Sequence, residues 1–149
     1  MARPKVKSPA KVVVIGGGTG VFTLLSGLKH YFEHLSAIVS MADNGRSSGM
    51  LREDFGILPP GDIRQAMVAL SEVDDRILSD LFSYRFEEGR LKHQSFGNLM
   101  LTALERITGS FEKAIAEAGR ILAVKGEVIP VTLALTNLCV ELENGKVIR

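Results

Sequence analysis

Residues 11–32 read Lys11-Val12-Val13-Val14-Ile15-Gly16-Gly17-Gly18-Thr19-Gly20-Val21-Phe22-Thr23-Leu24-Leu25-Ser26-Gly27-Leu28-Lys29-His30-Tyr31-Phe32, and the fold class follows from this run. Val12 to Ile15 is an unbroken β-branched stretch, the pattern of a strand covered on both faces in a parallel sheet. Glycines stop it, and Val21, Leu24, Leu25, Leu28 and Phe32 then recur at helical spacing. A second short β run follows at Ala37-Ile38-Val39. Strand, glycine turn, helix and strand make a βαβ unit, so the chain is α/β with a mostly parallel sheet.

Outward from that unit, 59–61 (Pro-Pro-Gly) closes a polar stretch running from Met41 to Gly61, which reads as one long irregular segment. Asp62 with Gln65 forms a capping-box pattern for a helix whose stripe is Ile63, Ala66, Met67 and Leu70. A short helix is expected over Asp75 to Phe82. Another begins near Gly97 and stops at Gly109. Ser110 caps a further helix with the stripe Phe111, Ala114, Ile115, Ala118, Ile121 and Leu122. Lys125 to Leu142 reads as strands broken around Pro130, and Asn144-Gly145 is a hairpin turn.

Composition narrows the class. Apolar residues make up 46% of the chain and charged residues 23%, values of a globular domain. Eighteen Lys and Arg face 17 Asp and Glu, a net charge of +1, so no general field recruits nucleic acid or an anionic membrane. The lone Cys139 lies among Leu138, Val140 and Leu142 and reads as a small buried hydrophobe in a cytosolic protein. Residues 1–10 carry Arg3, Lys5 and Lys7 and read as a flexible basic tail. The apolar run after it is too short for an export signal. Residues 11–149 then form one domain, and the ending just after the hairpin reads as a truncation.

The chemistry concentrates in the glycine loop. Gly16, Gly17, Gly18, Thr19 and Gly20 put backbone N–H groups at a helix N-terminus, where the partial positive charge favours a phosphate. A Walker loop is excluded because no Gly-Lys-Ser/Thr triplet follows. A dinucleotide fingerprint is disfavoured because Val21 stands where a glycine is needed. The next block, Ala42-Asp43-Asn44-Gly45-Arg46-Ser47-Ser48-Gly49, follows the second strand at the sheet end where open α/β sheets bind ligands. There Asp43 suits a magnesium ion or a ligand hydroxyl, and Asn44, Arg46, Ser47 and Ser48 suit phosphate oxygens. Asp62 is equally well explained as a helix cap. Asn98, in Lys92-His93-Gln94-Ser95-Phe96-Gly97-Asn98-Leu99, is a further ligand candidate, and Ser95 a cap. His93 reads as a surface histidine.

The ordered blocks Gly-Gly-Gly-Thr-Gly, Ala-Asp-Asn-Gly-Arg-Ser-Ser-Gly, Leu-Pro-Pro-Gly-Asp-Ile-Arg and Ser-Phe-Gly-Asn-Leu resemble the bacterial gluconeogenesis-factor family. That family is related to 2-phospho-L-lactate transferase. The resemblance implies a Rossmann-like three-layer fold, of which this chain is the N-terminal part, and a bound nucleotide. The gluconeogenesis-factor branch implies a regulatory protein that binds uridine diphosphate sugars, with roles in growth on gluconeogenic carbon and in cell shape and wall synthesis. The alternative is a transferase that moves a phospho-organic group from a nucleoside diphosphate, with magnesium as the companion ion. The chain departs from the family pattern where Asn44 replaces a second acid, where Arg46 replaces a common glycine, and where the histidine stands one place early at His93. A cytoplasmic homo-oligomer, a dimer, without nucleic-acid or membrane partners, completes the expectation.

Overall fold

The computed structural model describes residues 7–43, 45–72 and 76–148. Strand β1 (Ser8–Gly16) leads through α1 (Gly18–Leu28) into β2 (Phe32–Val39). Helices α2 (Arg46–Phe55), α3 (Gly61–Leu70), α4 (Arg76–Ser83), α5 (Phe96–Thr108) and α6 (Phe111–Ile121) follow, and then β3 (Glu127–Pro130). A short hairpin of β4 (Val140–Glu141) and β5 (Val147–Ile148) comes last. The main sheet is parallel in the order β1-β2-β3, with Val14 opposite Ala37 and Ala37 opposite Val128. The α/β class and the opening βαβ unit are as the sequence reads.

Leu35, Ala37 and Val39 of β2 are fully covered, with Leu25 of α1, Met67 and Leu70 of α3 and Leu122 after α6 in the same core. The stripe of α6 is buried as read except for Ile121, and Ser110 Oγ accepts the Lys113 N–H at 3.4 Å. Gly109 ends α5 with a φ of 72°, a left-handed stop that a side chain would strain. In the terminal hairpin Gly145 has a φ of 77° and Asn144 Oδ1 accepts the Lys146 N–H, as Asn-Gly predicts.

Six expectations are corrected. The first strand starts at Ser8, inside the stretch read as tail, because Ser8 N–H reaches Tyr31 C=O at 2.7 Å; residues 1–6 lie outside the described residues. Val14 faces the core, but Val13 and Ile15 are 54% and 73% exposed, so β1 is covered on one face only. Phe32 opens β2 instead of ending α1, and Leu24 is exposed. The segment from Met41 to Gly61 is not all irregular, since α2 occupies its middle; apart from Leu51, its apolar stripe is too thin to read. Over 125–142 only Glu127–Pro130 and Val140–Glu141 are strand. Cys139 is exposed, because its surrounding apolar residues are exposed too. The expected start of α4 at Asp75 lies outside the described residues. No helix among the described residues is long and apolar enough to cross a membrane.

Candidate functional site

The glycine loop ends β1 and opens α1, and its glycines differ in what the surrounding protein demands of them. Gly16 has a φ of 151° and Gly18 a φ of 65°, both regions that L side chains rarely adopt. Gly17 is extended, so its backbone admits any residue, yet a Cβ there would lie 2.5 Å from Asp62 Oδ2 and 3.1 Å from the Ser40 Cβ. Around Gly18 and Gly20, by contrast, a Cβ would meet no atom within 4 Å. Thr19 and Gly20 are exposed. The first N–H groups of a helix have no intrahelical acceptor, and α1 has neither a side-chain cap nor an acid in its first turn. The loop therefore has a closed side at Gly17, held by the protein itself, and an open side at Gly18 and Gly20.

Asp62 closes the first side. It is not an N-cap: that place belongs to Pro60, and Asp62 stands within the first turn of α3. Proline at 60 and glycine at 61 start the helix early, which frees the Asp62 carboxylate to accept the Gly18 N–H across the loop. Burial and then the nearby charge of Asp43 raise its pKa above the ordinary aspartate value, against the lowering pull of Gly18 and Arg64.

Asp43 sits at the end of the loop after β2. Its Oδ1 accepts the Gly45 N–H and its Oδ2 the Ser48 hydroxyl, each at 2.7 Å, which ties the loop to the start of α2. A Cβ on Gly61 would lie 2.6 Å from both Asp43 Oδ2 and Ser48 Oγ, so α2 and α3 meet here because residue 61 has no side chain. Asp43 thus acts as a brace between loop and helix. Among the described residues no three His, Cys, Asp or Glu side chains come together as metal ligands.

Ser47 and Asn98 are turned to internal use. Ser47 Oγ donates to Gln94 Oε1 at 2.9 Å and accepts from Asn98 Nδ2 at 3.1 Å. Asn98 Oδ1 accepts Arg64 Nε at 3.0 Å, and Arg64 also reaches the Phe82 carbonyl. Burial, then Arg85, lowers the Arg64 pKa, while Asp62 opposes that shift. Asn98 is 2% exposed, so its amide is a joint between α2, α3 and α5. Ser95 stands at the N-cap of α5, but its hydroxyl makes no capping bond and is buried without a partner among the described residues. His93 is a turn residue with a φ of 73°, its N–H on Phe86 C=O and its own carbonyl receiving Arg85. Asn44 and the Arg46 side chain lie outside the described residues.

Glycine loop, Asp62, Asp43, Ser48, Ser47, Asn98 and Arg64 therefore form one connected row at the carboxyl end of β1 and β2. Sequence reading missed Arg64 and Gln94, whose roles depend on which helices pack together. A cavity of about 590 Å³ lies elsewhere, between α6 and β3, lined by Met67, Ile115, Gly119 and Val128 and touching none of this row.

The family model described as 2-phospho-L-lactate transferase CofD matches residues 12–149, a span that contains every one of these motifs. The chain belongs to the CofD family. Within reach of this CofD-family chain, a protein of Clostridium acetobutylicum is 52% identical over 143 residues, covering 96% of this chain and 31% of that protein. The gluconeogenesis factor of Listeria monocytogenes is 48% identical over 145 residues, with 97% and 45% covered. A crystal structure of a Bacillus halodurans protein superposes with a TM-score of 0.89 at 45% identity, over 95% of this chain and 45% of the other. This CofD-family chain spans less than half the length of these relatives.

Proposed function

We propose that the chain carries the phosphate-holding part of a nucleotide-binding site in a gluconeogenesis factor. In this reading it is a cytoplasmic regulatory protein that binds a uridine diphosphate sugar and serves growth on gluconeogenic carbon, cell shape and wall synthesis. The observation that carries it is the open side of the glycine loop. Gly20 stands in a helix where no protein atom demands a glycine, and alanine there would favour the helix. A glycine standing against that preference, beside helix N–H groups and exposed, suits a site where a phosphate comes close to the backbone. The relatives named gluconeogenesis factor support the part of the reading that concerns gluconeogenic growth.

A second reading, a transferase using a nucleoside diphosphate donor, draws its support from the name of the matching family. Magnesium would then accompany the diphosphate. The bracing role of Asp43, whose two oxygens are both engaged by donors of the protein itself, favours the binding protein. Thermal shift and calorimetry with uridine and guanosine diphosphates, their sugars and nicotinamide dinucleotide test the choice. Uridine diphosphate sugars should stabilise most, by about 2.7 kcal/mol at a hundredfold excess over Kd. An equal shift with nicotinamide dinucleotide refutes the ligand class, and magnesium-dependent turnover with a guanosine diphosphate donor selects the transferase.

A further inference from the structure

The site contains an anion of its own. Asp62 Oδ2 lies over Gly17, and the carboxylate takes the Gly18 N–H, the first amide of α1. In a phosphate-binding loop this amide is one of those that would serve the ligand. The charge that acts on Asp62 from the neighbouring loop is that of Asp43, another carboxylate, and the opposing Arg64 on its own helix directs its hydrogen bonds to Asn98 and the Phe82 carbonyl. Asp62 is therefore not neutralised by an ion pair among the described residues, and its contact with the loop is a charge placed where a second charge is to arrive.

We propose that Asp62 is a gate residue that occupies the first amide of the glycine loop in place of ligand phosphate and tunes how strongly an anionic group is accepted there. This rests on the phosphate reading of the loop. A phosphate brought to Gly18 and Gly20 meets the Asp62 carboxylate at close range, and like charges a few ångströms apart repel even through partly wet protein. The ligand must displace Asp62 from Gly18, or bind beside it on the later amides at reduced strength. Asp62 thus opposes binding, where a residue that contacts a ligand hydroxyl would favour it.

The opposite signs make the test direct. Calorimetry with inorganic pyrophosphate and with uridine diphosphate is run on the protein, on Asp62→Asn and on Glu112→Gln, a remote exposed carboxylate on α6. Asn keeps the shape of Asp62 and an acceptor for Gly18 while removing the charge. Asp62→Asn should bind both anions about tenfold tighter, with Glu112→Gln unchanged. In the unsubstituted protein, the Gly18 amide resonance should move when pyrophosphate is added. Equal or weaker binding by Asp62→Asn overturns the gate while leaving the phosphate reading intact. If neither anion binds any of the three proteins, the phosphate reading fails and takes the gate with it. Asp62→Ser repeats the comparison if the Asn form does not melt cooperatively, and weaker binding there has the same overturning force.

Discussion

At the scale of single residues, the glycines of the loop are not equivalent, and substitutions should separate them. Gly20→Ala places a methyl group in open space on a helix, so the protein should become more stable by up to about 1 kcal/mol. The same methyl sits where a phosphate would approach, so affinity for uridine diphosphate should fall at least tenfold. Chemical denaturation and calorimetry on one preparation check both signs, and a stabilised variant with unchanged affinity would remove Gly20 from the site. Gly17→Val is a poorer probe of ligand, because its side chain meets Asp62 and Ser40 before it meets any anion. Asp62 also predicts a pH effect. Its pKa is raised in the folded protein, so folded chains hold this proton more tightly than unfolded ones. Its stabilising contribution is complete below the ordinary value of 3.8 and is lost as pH rises through the folded value. Asp62→Asn should therefore melt higher than the parent at pH 7, and the gap should close below pH 3.8. A gap that widens on acidification contradicts the burial of this carboxylate.

At the scale of elements, the row of side chains between α2, α3 and α5 explains why the motifs are spaced through the chain. Arg64 and Asn98 stand in different blocks, yet one hydrogen bond joins them. Asn98→Ala removes that acceptor and leaves a buried guanidinium short of partners, which should cost about 2–4 kcal/mol of stability. If Asn98 is the joint described here, the residual folded protein should bind nucleotide within a few-fold of the parent; loss of affinity with unchanged stability would assign Asn98 to the ligand instead. Helices α1, α5 and α6 and the Asn144-Gly145 hairpin were legible because stripes, glycine stops and a serine cap are local signals. Helix α2 was not, because its helix rests on the brace of Asp43 and on one buried leucine, Leu51. The spacing of Asp62 from Gln65 predicts a cap. The contact of Asp62 with Gly18 depends on how α3 lies against α1, which no local pattern records. The internal use of Ser47 and Asn98 was hidden for the same reason, since polar residues in a glycine-rich block look alike whether they face a ligand or a neighbouring helix.

At the scale of the whole molecule, apolar surface is left bare. Val13 and Ile15 on β1, Ile129 on β3, and Val131, Leu133, Leu135 and Leu138 beyond it are exposed. Strand β3 ends the sheet order with one side unpaired among the described residues. Exposed apolar faces and free strand edges favour association. The chain on its own should form a dimer or larger species as concentration rises, with an intermolecular contact in the segment from Val128 to Val147. Sedimentation velocity across a concentration series checks this, and Ile129→Lys should shift the series towards monomer. A single monomeric species at high concentration with a cooperative melt would contradict it.

The pairing of β2 with β3 carries one more consequence. Ser36 Oγ meets Glu127 across 91 positions of sequence, and everything from α2 to α6 is threaded between these two neighbours. On a ribosome, β1, α1 and β2 emerge first and can join through near contacts, while β2 must wait for β3 before its other side is covered. During that wait the candidate-site residues described here are already synthesised but hang from a pair of strands whose third partner is still missing. A nascent chain arrested before Glu127 should therefore be cut readily by protease within α2 to α6. One arrested after Pro130, and clear of the exit tunnel, should resist.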